Sequence, residues 1–294
     1  MYIKMAFLGQ FYIHLCVKNT NDMSIKAMPV WKWALLLLAS LVLAFVVMIF
    51  GKETPSLLPV GWLRSVAAVV CAVAMLALYA LFVRWFEGHP AQDIPLRRLV
   101  PETSKGLGVG FFFFVAVVGV MYACRVYRVA SFGTDQPSAL VNAFFFGITT
   151  AVGEELLFRG VLFRWVDEKW NFAAALVVSS LVFGLIHLGN SGATWWSSLA
   201  IAIEAGLLLG AAYKCSGTLW LPIGIHWAWN FTQGNFFGIS VSGGDVGASL
   251  IQPEISGPDI LTGGAFGAEA SVIAVVLGAA LSAWYIAIML REKK

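Results

Sequence analysis

Six residues of this sequence carry side chains that could do chemistry at spacings able to bring them together. Glu154, Glu155 and Arg159 lie in GEELLFRGVLFR, residues 153–164, a run otherwise apolar enough to cross a membrane. A charged side chain at bilayer depth costs a few kcal/mol or more, so residues like these normally face a protein interior and mark a functional site. On a helix Glu155 and Arg159 are four apart and share a face, while Glu154 sits about 100° round the cylinder without that partner. One carboxylate is expected to be held and the other free. His187 in FGLIHL, with Phe183 four residues before it, and His226 with Asn230 four residues on in HWAWNF complete the set. Two imidazoles, a carboxylate and an amide are the parts of a hydrolytic site, a base for water and donors for an oxyanion. Each also has a structural reading: the glutamates and arginine as an ion-pair cluster stapling helices, the histidines as hydrogen-bonded interior residues, Phe183 as packing. No Ser or Cys stands at helical spacing from these histidines in a nucleophile motif, so a covalent acyl-enzyme is not expected.

The elements that must position these groups are membrane spans. With 60% hydrophobic and 12% charged residues over 294, the chain has more apolar surface than a soluble core can hide, which makes it an all-α polytopic membrane protein. About eight transmembrane helices are expected, near 31–50, 63–84, 107–124, 139–163, 171–188, 197–214, 219–237 and 270–290, each long enough for a hydrocarbon core of roughly 30 Å. Residues 1–30, interrupted by Lys4, Lys18 and Lys26, read as an N-terminal extension: a surface segment, or sequence upstream of a true start at Met23 or Met28. A signal peptide fits poorly, because no small-residue cleavage site follows an uninterrupted apolar core. Residues 31–294 read as a single transmembrane domain with its motif-bearing core at 139–237. The segment 86–105, with three prolines, is expected to be the clearest soluble loop, and 240–266 a Gly/Ser-rich, acidic loop free of Lys and Arg. With Arg159 set aside as intramembrane, 14 Lys and Arg fall on the N-terminal side and 4 on the other, which places N-terminus and C-terminus in the cytoplasm. At that topology Glu154, His187, His226 and Asn230 all fall roughly 12 to 25 Å above the cytoplasmic edge and can meet. The basic residues do not gather with an aromatic stacking face, so nucleic acid is not a partner. Cys16, Cys71, Cys124 and Cys215 are scattered without a CxxC pair and read as small hydrophobes.

EExxxR at Glu154 to Arg159, FxxxH at Phe183 to His187 and HxxxN at His226 to Asn230, in that order on successive late spans, resemble the three motifs of the CPBP intramembrane proteases. That family is named for CAAX processing and bacteriocin processing, and includes the type II CAAX prenyl endopeptidases and the Abi proteins. The resemblance covers about 139–237. It implies that Glu154 and His187 activate a water, that His226 and Asn230 stabilise the oxyanion, and that Glu155 and Arg159 support them. The substrate it implies is a peptide or protein at the lipid bilayer, cut near the C-terminus of a lipid-associated or embedded segment.

Metal use stays open. Glu154, His187 and His226 would suit a catalytic zinc, and the family has been described as metalloproteases on that ground. HExxH is absent, and the same residues are assigned to metal-free, glutamate-driven hydrolysis in the CAAX members. The expectation is a site that requires no cofactor. Glu204, an intramembrane carboxylate outside the three motifs, reads either as a polar helix contact or as a group lining the substrate cavity. Two other function classes remain: an ion- or proton-coupled transporter, for which the sequence shows no internal repeat, and a non-proteolytic immunity or binding protein on the same fold.

Overall fold

The computed structural model describes residues 25–291. Most of the extension 1–30, with Cys16 and the alternative start at Met23, lies outside the described residues. Chain order is α1 (Val30–Leu57), α2 (Trp62–Glu87), α3 (Leu96–Ala123), β1 (Tyr127–Phe132), α4 (Pro137–Lys169), α5 (Phe172–Gly189) and α6 (Trp195–Ser216). There follow α7, which runs as Trp220–Phe231 and continues through a π-helical turn Thr232–Phe236, then β2 (Ile251–Ile255), α8 (Asp259–Thr262) and α9 (Val272–Arg291).

Seven of these helices, α1 to α6 and α9, are long and apolar enough to cross a membrane. The remaining expected span, α7, is shorter, and its residues from Trp220 to His226 are buried without a break. The outer helices turn side chains such as Leu35, Leu38, Val66 and Val70 outward, half or more exposed. An apolar outer wall with every helical backbone group satisfied internally is what a bilayer demands of a multi-pass protein. In the interior α3 and α7 lie almost backbone to backbone: a Cβ on Gly106 would stand 2.4 Å from the Leu221 carbonyl oxygen and 2.8 Å from Gly224 Cα. Small residues at such crossings let helices approach where no hydrophobic force drives them together. This contact sets the position of the helix that bears His226.

Two expected loops contain structure. The segment 86–105 is not loop throughout, since α3 begins at Leu96 behind Pro95. Pro101, one of the three prolines that argued for a loop, lies inside this helix, where Glu102 pairs with Arg98 at 3.1 Å and Lys105 at 3.2 Å along one face. The Gly/Ser-rich segment 240–266 contributes β2, which pairs antiparallel with β1, Tyr127 opposite Ile255 and Phe132 opposite Ile251. Pro253 sits opposite Val129, beside an irregularity between Val129 and Ser131, a place where a strand tolerates a residue without an N–H. The Tyr127 hydroxyl donates to the Phe237 carbonyl at 2.9 Å and ties this two-stranded sheet to the end of α7. Cys71 and Cys124 carry free thiols.

Candidate active site

α4 is a single continuous helix with a wide turn in its middle: α-helical to Glu155, π-helical from Leu156 to Phe163, α-helical again to Lys169. Stretches with i to i+5 bonding are uncommon and gather at functional sites. Glu155 and Arg159 straddle the change of winding. The Arg159 Nη1 donates to Glu155 Oε1 at 2.9 Å, and both side chains are 0% exposed. Its Nη2 donates to the carbonyls of Gly206 at 3.2 Å and Ala205 at 3.4 Å, at the end of a π-helical turn in α6, Ala202–Gly206. The guanidinium also lies over the Phe183 ring, 4.8 Å from its centroid. One buried cation thus joins α4, α5 and α6, and a fork with several donors suits that task where a lysine would not.

His226 reaches the same carboxylate from α7. Its Nδ1 lies 2.8 Å from Glu155 Oε1 and its Nε2 3.8 Å from Glu154 Oε2, so the imidazole stands between the two neighbouring glutamates. Because a carboxylate only accepts, Nδ1 carries the proton it donates to Glu155. Glu154 keeps 15% of its side chain exposed, and 3.8 Å is beyond hydrogen-bond length. His187 closes α5 where the helix tightens into a short 3₁₀ turn, His187–Gly189. Its Nδ1 pairs with the Phe183 carbonyl at 2.6 Å, which leaves Nε2 as the available nitrogen. The Phe183 ring is the common wall, with ring centroids 4.7 Å from His187, 6.3 Å from His226 and 4.8 Å from Phe158. Glu154 and His226 both act electrostatically on His187. Asn230, half-buried one turn along α7 from His226, makes no hydrogen bond to this cluster.

Glu204 lies in the α6 π turn, buried, and among the described residues neither carboxylate oxygen has a hydrogen-bond partner. The charged group facing it is Glu269, in the turn Ala268–Ala270 before α9. Glu269 belongs to no motif. Burial pushes its carboxyl up to about 7, against hydrogen bonds from Ser242 and Trp229 and the charge of His226, which pull it down. The acidic character of 240–266 was its nearest sequence signal, but an isolated glutamate past a glycine-rich segment has no periodic partner to announce it.

A cavity of about 400 Å³ lies between α1, α2 and α4, walled by Met48, Met75, Tyr79, Gly153 and Leu156. Its rim includes Leu43, Leu78 and Trp85, which are exposed on the outer wall, so it reaches the lipid-facing surface.

For a metal, each imidazole has the acceptor that a ligating histidine needs on its second nitrogen: Glu155 for His226 and the Phe183 carbonyl for His187. The three ligands themselves do not converge, since among the described residues no three His, Cys, Asp or Glu side chains form a metal-sized cluster. The residues as placed do not fit a zinc centre.

The elements that converge here, α4 to α7, are also the part of the chain that matches a known family model. Residues 136–232 match the family model of the type II CAAX prenyl endopeptidase Rce1-like proteins. The Rce1-like segment contains all three motifs, so the resemblance expected from EExxxR, FxxxH and HxxxN holds over this stretch. A Bacillus subtilis (strain 168) protein described as "Putative membrane peptidase YdiL" is 30% identical over 73 residues, 25% of this chain. The matched stretch spans 28% of that relative's length. No solved structure matches the chain.

Proposed function

We propose that this chain is an intramembrane endopeptidase that hydrolyses peptide bonds with a water activated by Glu154. The observation that carries this reading is His226, buried and held through Nδ1 by Glu155 with Nε2 turned toward Glu154. Glu154, the carboxylate without a hydrogen bond, takes the proton of a water whose oxygen attacks the scissile carbonyl carbon. His187 Nε2 shares that proton. The developing oxyanion accepts from His226 Nε2 and the Asn230 amide; since Nδ1–H is already given to Glu155, an Nε2–H donor means that His226 acts as the imidazolium. Glu154 then returns the proton to the departing amine nitrogen as the C–N bond breaks. The cavity between α1, α2 and α4 supports a substrate that arrives from the bilayer, as an apolar or lipid-bearing segment lying beside Gly153. The test is incubation of a peptide library with purified wild type and Glu154→Ala in nanodiscs: new peptide termini with wild type alone support the reading, and none with either protein refutes it.

His226→Ala and Asn230→Ala are each expected to lower kcat by roughly 100- to 1000-fold with KM little changed, the pattern of a lost oxyanion donor. A change confined to KM would assign them to substrate positioning. Prolonged chelation followed by metal analysis is expected to leave the enzyme active with far less than one metal per chain. Reversible loss, restored by stoichiometric zinc and absent from His187→Ala, would make Glu154 a ligand and not the base. The charge split further predicts that tags at both ends resist external labelling in intact cells, and labelling of one end alone would contradict the proposed topology.

A further inference from the structure

Residues 240–243 form a strap across the end of the bundle nearest the histidines, and its fastening involves none of the three motifs. From α7, the Gln233 amide donates to the Ser240 carbonyl. From the turn after His187, the Asn190 amide donates to the Ser242 carbonyl at 3.0 Å. Ser242 has φ +49°, a left-handed conformation that a non-glycine residue keeps only when its surroundings enforce it. Gly243 follows at φ +76°, and a Cβ there would stand 1.7 Å from the Ser191 carbonyl oxygen, so the strap lies flat on the His187 turn.

The third fastening is Glu269, 1% exposed. Its Oε1 accepts the backbone N–H of Ser242, and its Oε2 accepts Trp229 Nε1 at 3.4 Å. Trp229 is three residues beyond His226 on α7 and is held in turn by Phe113, stacked at 4.6 Å, and Phe114, edge-on at 4.8 Å. Burying a carboxylate carries a large desolvation cost, so its presence between these two donors calls for a use.

We propose that Glu269 is a positioning residue, clamping the strap 240–243 to Trp229 so that the His187 turn and the His226 helix keep a fixed spacing. The role in turnover rests on the peptidase reading; the clamp itself does not. A misplacement of about 1 Å at reacting groups can cost on the order of 100-fold in rate, which is the scale on which such a clamp acts.

The experiment is hydrogen–deuterium exchange of the strap in nanodiscs, with kinetics on the same samples. Glu269→Ala removes both acceptors and is expected to speed exchange at 238–250 by roughly tenfold or more, the worth of a charge-assisted hydrogen bond. Its kcat should fall with KM little changed. Glu269→Gln keeps an oxygen acceptor for Ser242 and should restore most of the protection and of kcat. Asn190→Ala, at an exposed position where folding is not at stake, loosens the opposite fastening and should also speed exchange at 238–250. Unchanged exchange in Glu269→Ala, or in Asn190→Ala where Glu269→Ala fails to accumulate, overturns the clamp, as does Glu269→Gln behaving like Glu269→Ala. Absence of cleavage by wild type overturns the peptidase reading alone, since exchange decides the clamp without turnover.

Discussion

Glu154→Gln is expected to remove turnover while leaving the fold intact. Glutamine has the same shape and hydrogen-bonding reach, but it takes no proton from water at neutral pH. Among the described residues the native side chain makes no hydrogen bond; it keeps 15% of its surface exposed and lies 3.8 Å from His226 Nε2, so little pairing is lost with the charge. Loss of a positioned general base costs roughly 10²- to 10⁴-fold. Cleavage rate and melting temperature on one preparation check this: activity should vanish into background at an unchanged melting temperature. Retained activity would remove Glu154 from the role of base.

Glu155→Gln and Arg159→Ala are expected to act first on stability. Glu155 Oε1 accepts from both Arg159 and His226, and the guanidinium also holds two α6 carbonyls and faces Phe183. Both groups are 0% exposed, so removing one strands the other without solvent. Breaking a buried pair in this way costs roughly 3–5 kcal/mol, a large part of a typical folding free energy. The expected result is poor accumulation and a lowered melting temperature for both variants, with Arg159→Ala also leaving a void over Phe183. Stability equal to wild type in both would show that the pair does not hold α4, α5 and α6 together.

The neighbours Glu154 and Glu155 show how far the sequence could be followed. Their separation was legible because an α-helix puts four-residue neighbours on one face, and Arg159 stood four residues on. The span positions were legible because bilayer thickness demands a long apolar run. What could not be read was rotation about each helix axis. The sequence left His226 free to face His187 or either glutamate, and the packing of α7 on α3 at Gly106 and Gly224 turns it between the two carboxylates. The π turns in α4 and α6 have no sequence signature, although they set where Arg159 meets the carbonyls of Ala205 and Gly206. The partner of His187 was equally hidden, because a backbone carbonyl, that of Phe183, leaves no trace in side-chain types. Glu269 and the strap were missed for a related reason: glycine-rich loops fold by individual backbone hydrogen bonds and carry no period.

The most direct measurement is single-turnover cleavage of one identified substrate by wild type and Glu154→Gln, reconstituted in nanodiscs at matched melting temperature. The account predicts internal peptide-bond cleavage by wild type and no product from Glu154→Gln above the uncatalysed rate. Equal cleavage by both proteins would contradict it.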